Sequence, residues 1–89
     1  MLKIKHTRTF QKDIKRAKKR GKSLDKLCNI TELLIMQQRL NPNHRDHPLA
    51  GNYKGYRECH IEPDWLLIYK MGDDTIIFER TGTHSDLFK

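Results

Sequence analysis

Long apolar runs are missing from this 89-residue sequence. None approaches the roughly 20 residues that a membrane-spanning helix needs, and the opening MLKIKHTRTF lacks the apolar core of a secretory signal. Cysteine is nearly absent: Cys28 and Cys59 are the only two, and they form no CxxC pair. That rules out a disulfide framework and fits a reducing, cytoplasmic setting. Five glycines and three prolines are too few and too scattered for a linker or a low-complexity segment, and Gly51, Gly55, Gly72 and Gly82 make no phosphate-cradling loop. Acidic residues are scarce in one half only. Residues 1–45 hold thirteen Lys/Arg against Asp13, Asp25 and Glu32, a balance of +10, whereas residues 46–89 hold five against eight acids, a balance of −3.

What is present fits one small domain spanning residues 1–89. Hydrophobic residues are 36% of the chain and charged residues 33%, enough for one core and too little for two. A single run such as KRAKKRGK is compatible with a solvated helix face. A whole half of one sign reads better as a surface for a polyanion, nucleic acid above all.

LKIKH (2–6) alternates apolar and basic residues, as a short strand with one buried face does. Thr7 or Thr9 can cap a helix with Phe10, Ile14 and Ala17 on one side, Lys12, Lys15, Arg16, Lys18, Lys19 and Arg20 on the others, and Gly21 as its stop. Ser23 can cap a second helix with Leu24, Leu27, Ile30 and Leu34 inward, ended by Asn41-Pro42-Asn43. HRDHPLAGNYKG (44–55) reads as loop. YRECHI (56–61), WLLIYKM (65–71) and TIIFERT (75–81) read as strands joined by tight turns, and GTHSDLFK (82–89) as a tail too short for an element of its own. The order βααβββ predicts an α+β domain, a helical hairpin packed on a four-stranded, mainly antiparallel sheet.

In YRECHI, alternation sends Tyr56, Glu58 and His60 to one face and Arg57, Cys59 and Ile61 to the other. If the helices cover Cys59 and Ile61, Glu58 and His60 face outward together. Parity alone leaves open which residues of TIIFERT join them. Such a face offers the groups that RNA cleavage requires: a base for the 2′-OH, a cation for the phosphorane charge and an acid for the leaving 5′-oxygen. His60 or His84 can serve as base or acid. Glu58 or Asp64 can act as base or hold an imidazolium, Arg80 can bind the phosphorane oxygens, and Trp65 can stack a base. Each also has a plainer use, in a turn, an ion pair or the core. No metal site is expected, because His44-x-x-His47 lies in a loop without further ligands and Cys59 and His60 point to opposite faces. The same divergence excludes a Cys–His nucleophile.

The run DHPLAGNYKGYRECHIEPDWLLIYK (46–70), followed by FERTGTHSDLF (78–88), resembles the YafQ branch of the RelE/ParE superfamily of bacterial toxins. The likeness is dense from Asp46 to Phe88 and looser in the helices. It implies a type II toxin: a ribosome-dependent mRNA endonuclease, needing no cofactor or metal, that cuts the message in the A site. Its implied partners are the 70S ribosome with its rRNA and mRNA, and a cognate antitoxin of the DinJ or RelB kind. DNA would be met only through the antitoxin, and the membrane not at all. Carried over by position, the catalytic set is His47, His60, Asp64, Arg80 and His84, with Trp65, Phe88 and Glu58 toward the substrate. Glu58 stands where relatives commonly have Asp, and Tyr53 where they commonly have Trp. The roles implied are His84 as acid, His60 as base, Asp64 orienting an imidazole, Arg80 stabilising the transition state and His47 assisting. Lys12, Lys15, Arg16, Lys18, Lys19 and Arg20 would then grip rRNA. Two other readings remain, a ParE-like gyrase inhibitor and a non-catalytic module that binds nucleic acid or antitoxin.

Overall fold

A strand, β1 (Lys3–His6), turns at once into a helix, α1 (Arg8–Lys19), in the computed structural model of the protein, which describes residues 2–88. Thr7 makes that corner. Its hydroxyl oxygen accepts from the Phe10 N–H at 2.9 Å and its O–H donates to the Glu79 carbonyl at 2.8 Å, so one side chain caps the helix and ties it to the last strand. Gly21, at φ +79°, stops α1: its N–H bonds the Lys18 carbonyl and the Lys22 N–H bonds that of Ala17.

A second helix, α2 (Leu24–Ile35), ends well before the Asn41-Pro42-Asn43 expected to stop it. Gln37 takes the left-handed conformation at φ +58°, and the Gln37 and Gln38 N–H groups bond the carbonyls of Leu34 and Leu33. This is the glycine-type stop made by a glutamine, at about 1–2 kcal/mol of backbone strain, which is why the sequence does not announce it.

Five strands form the sheet: β1, β2 (His47–Pro48), β3 (Arg57–Glu62), β4 (Trp65–Met71) and β5 (Thr75–Gly82), in the order β1-β5-β4-β3-β2. Only β1, which pairs with β5, runs parallel to its neighbour. The expected α+β class and the three long strands are present. The fifth strand comes from the stretch read as loop, which also holds short 3₁₀ turns at Pro42–His44 and Gly51–Tyr53. The tail likewise forms a helical turn, α3 (His84–Leu87), fastened by a reciprocal cap between Thr83 and Asp86. β1 departs from expectation too. All four of its residues are exposed, and the neighbouring Leu2 is the residue it delivers to the core.

Helix residues Phe10, Ala17, Leu27, Ile30 and Leu34 bury one sheet face together with Leu67, Tyr69, Ile76 and Phe78. The other face is partly covered: Leu66 and Ile68 pack under Leu87 of α3 and against Leu49, Tyr53 and Tyr56 of the 49–56 loop. Beyond that small second core the same face carries Glu58, His60 and Arg80.

Candidate active site

Two irregularities in the sheet set the chemistry on that face. Between β4 and β5 the register runs Tyr69 opposite Phe78, then Ile68 opposite Arg80, so Glu79 is an extra residue. Without it Arg80 would follow Ile76 and Phe78 into the helix-side core. The bulge reverses the alternation and turns Arg80 to the opposite face. Arg80, Ile68, Glu58 and His47 then stand in one cross-strand row, and Gly82, Leu66 and His60 in the next. A second shift, between His60 and Glu62, lies beside the Pro63-Asp64 turn.

Three imidazoles line this face. His47 and His60 have ring centroids 6.4 Å apart, and His60 and His84 5.8 Å. Glu58 lies between the first two, its Oε1 3.6 Å from His47 Nε2 and 3.8 Å from His60 Nε2. Its carboxylate is 5% exposed, so it faces histidines rather than solvent. Glu58, expected toward the substrate, has the His47 and His60 rings as its neighbours. At the other end Asp64 Oδ1 accepts from the His84 backbone N–H at 2.9 Å and lies 2.6 Å from His84 Nδ1. The backbone bond first, and the ring bond second, hold the Asp64 carboxyl below its usual range. That pairing fixes the orientation of the His84 ring. His60 Nδ1 is buried and has no protein partner among the described residues.

Arg80 lies across the face, and its ion-pair partner is Asp13 of α1. Nε donates to Asp13 Oδ2 at 2.8 Å and Nη2 to Asp13 Oδ1 at 3.2 Å. These bonds raise the Arg80 pKa further, with Tyr53 contributing more weakly. Phe88 remains 42% exposed at the rim, edge-on to Tyr53 with centroids 5.9 Å apart.

Trp65 does not belong to the site. It is 1% exposed on the helix side, where its Nε1–H donates to Thr81 Oγ1 at 2.9 Å. The bulk that made it a candidate for stacking a base is used in the core. Cys59 is buried beside it in the same core, and burial pushes its thiol up to about 12, so no thiolate is at hand for chemistry. Of the six cations assigned to rRNA, Lys12, Lys15, Lys18, Lys19 and Arg20 are exposed. Arg16 bonds Asp13 at 2.9 Å and Arg20 bonds Asp86 at 2.7 Å.

Sequence reasoning missed two things. Asp13 is the only acid in the first 24 residues and falls three after Phe10, on the apolar stripe of α1; that placement is the signal that it has a buried partner. The second is a metal-capable group: Glu58, His60 and His84 each offer a ligand atom, all within 4.8 Å of one another. The histidine pairs weighed from spacing did not include it, because His84 comes from a distant segment.

Comparison with known proteins agrees with this geometry. The family model described as bacterial toxin of type II toxin-antitoxin system, YafQ, matches residues 2–89. The mRNA interferase toxin YafQ of Escherichia coli K12 is 49% identical over 86 residues, which cover 96% of this chain and 94% of that one. The crystal structure of YafQ from E. coli BL21(DE3) superimposes with a TM-score of 0.95 at 46% identity, each chain covered in full. The YafQ chain of the E. coli DinJ–YafQ complex does so with a TM-score of 0.93 at 47% identity, again over the full length of both.

Proposed function

The chain belongs to the YafQ family of type II toxins, and on that premise we propose that it is an endoribonuclease that cuts mRNA in the ribosomal A site and is silenced by a cognate antitoxin. The E. coli relative bears the name mRNA interferase and crystallises with DinJ. A DinJ- or RelB-type partner is the corresponding antitoxin for this chain, and any contact with DNA would run through it. No helix among the described residues is long and apolar enough to cross a membrane; the cytoplasm, where ribosomes are, is the proposed site of action.

The observation that carries the reading is the row of three imidazoles, bracketed by Glu58 and Asp64, on the sheet face that Arg80 also occupies. His60 takes the proton from the 2′-OH as that oxygen attacks phosphorus. The P–O5′ bond breaks, and His84 delivers a proton to the departing 5′-oxygen. The products are a 2′,3′-cyclic phosphate and a 5′-hydroxyl end. The Asp64 carboxylate on Nδ1 orients His84 so that its other ring nitrogen can deliver the proton. Glu58 lies against both His60 and His47, beside the ring that accepts the proton. Arg80 supplies N–H donors to the phosphorane oxygens. Phe88 offers an exposed ring for a base. The gyrase reading is weaker, because trapping gyrase uses no such acid–base row.

A message carrying one 2′-deoxynucleotide at the cleaved position tests this chemistry. It should resist cutting on the ribosome, while the parent message yields a cyclic phosphate end. Equal cutting of both messages would mean that the 2′-oxygen is not the nucleophile.

A further inference from the structure

Arg80 stands where β5 has no strand on its outer side. β1 pairs with β5 only as far as Phe78, and beyond that the outer edge of β5 is covered by α1. Asp13 occupies the gap. Its carboxylate is 4% exposed and accepts from the Thr81 backbone N–H at 3.1 Å, taking the place of the missing strand. The same carboxylate accepts from Arg80 Nε and Nη2, and from Arg16 Nη2 at 2.9 Å.

Guanidinium geometry gives this arrangement a consequence. Arg has five N–H groups in a fixed plane and presents two edges on which a carboxylate or phosphate can be received in parallel. Asp13 takes the side-on edge, Nε and Nη2. The end-on edge, formed by Nη1 and the second N–H of Nη2, is not used by Asp13; the Tyr53 phenol, which raises the Arg80 pKa weakly, is the other group near the guanidinium. A long, flexible side chain is thereby fixed before substrate arrives, with a two-pronged edge that Asp13 does not occupy.

The ladder continues along α1. Arg16 Nη1 lies 3.9 Å from Asp86, and Arg20 donates to both Asp86 oxygens, at 2.7 and 3.3 Å. Asp86 Oδ2 accepts the Thr83 N–H at 2.9 Å and so caps the helical turn that begins at His84. Charges of alternating sign, Arg80, Asp13, Arg16, Asp86 and Arg20, join the carrier of the cation to the carrier of the acid. α1 is thus more than a cationic surface: its inner edge braces the site.

We propose that Asp13 is a positioning residue for RNA cleavage, holding the Arg80 guanidinium by its side-on edge so that its end-on edge meets the scissile phosphate. This rests on the reading of the chain as an endoribonuclease. It concerns the geometry of Arg80 in the transition state rather than the grip on the ribosome.

The test compares Asp13→Asn, Arg80→Ala and the double variant in single-turnover cleavage of ribosome-bound message, with thermal melting of each. Asn keeps an acceptor for the Thr81 N–H but loses the charge and one acceptor for the fork. D13N should lower the maximal cleavage rate by about 10- to 100-fold and leave the half-saturating toxin concentration within about 3-fold, as removal of an outer-sphere support does. In the Arg80→Ala background, D13N should cost less than about 2-fold further, because a residue acting through Arg80 has nothing left to position. A purely structural Asp13 would penalise both backgrounds equally, and that outcome overturns the proposal, as does parental cleavage by folded D13N. If D13N does not fold, Asp13→Glu replaces it: moving the carboxylate by one methylene should still depress the rate, and parental activity would overturn the idea. Parental cleavage by Arg80→Ala would instead remove the catalytic reading of Arg80, a distinct failure.

Discussion

At the scale of single residues, the side chains on the sheet divide by which face they serve, and Trp65 is the sharpest case. Its indole N–H meets the Thr81 hydroxyl, which in turn donates to the Leu66 carbonyl at 2.6 Å, all of it buried. Trp65→Ala should therefore cost about 3–5 kcal/mol of unfolding free energy, as large aromatic truncations in cores do. Denaturant unfolding measures that loss. A stable Trp65→Ala protein with weakened substrate binding would return the indole to the RNA. The Glu58/His60 pairing on one face was legible in YRECHI, since alternation of two is a property of any strand. The true face of Arg80 was not, because its orientation depends on one extra residue, Glu79, whose bulge leaves no mark in the local pattern. Trp65 misled for a related reason: proximity to a polar turn says nothing of which side of the sheet a ring takes.

Among the elements, α3 has the least material and the most dependence on charge. Four residues cannot hold a helix by their own backbone bonds; Thr83, Asp86 and Arg20 hold this one. Arg20 first, with the Thr83 bonds behind it, depresses the Asp86 carboxyl well below the ordinary carboxylate range, against the opposing effect of burial. A depressed folded value means that the stabilisation is complete above the unfolded carboxylate's titration near 3.8 and is lost only as pH falls through the folded value. Amide exchange in residues 84–88 should accordingly stay protected as pH drops to about 4, and Asp86→Asn should abolish that protection at neutral pH. Loss of protection near pH 5 in the parent protein would show that Asp86 does not hold the turn. Sequence reading treated this tail as formless because it weighed length alone. The Thr83–Asp86 spacing carries a capping signature, yet its strength comes from Arg20, 66 residues away. β2 escaped for a similar reason, since two residues opposite Arg57 and Glu58 form a strand only because β3 offers them an edge. The helices and long strands were legible because each carries its own periodicity and, for α1, its own Thr and Gly stops.

For the whole molecule, the +10 half and the −3 half meet along α1. One edge of that helix is neutralised inward by Asp13 and Asp86, while Lys12, Lys15, Lys18 and Lys19 are exposed on its outer side. On the proposed reading, these outer lysines replace counterions on rRNA phosphates, and ribosome affinity should fall with salt. Reversing Lys15, Lys18 and Lys19 to Glu should weaken ribosome binding and flatten its dependence on salt, while melting temperature stays within a few degrees. Binding that is unchanged at all salt concentrations would mean these lysines are only solvated surface. On the proposed reading, the ribosome holds the RNA so that the 2′-oxygen lies in line with the P–O5′ bond.

The proposed dependence on the ribosome can be measured on a single defined complex. A defined ribosome–mRNA complex with an empty A site is mixed with the purified chain, and new message ends are mapped beside two controls, the same message without ribosomes and a folded His84→Ala protein. The account predicts a cut within the A-site codon, only on the ribosome, and slowed by about two to four orders of magnitude in the variant, the range spanned by a general acid. An intact message on a ribosome to which the toxin has bound, or equal cutting by His84→Ala, would contradict it.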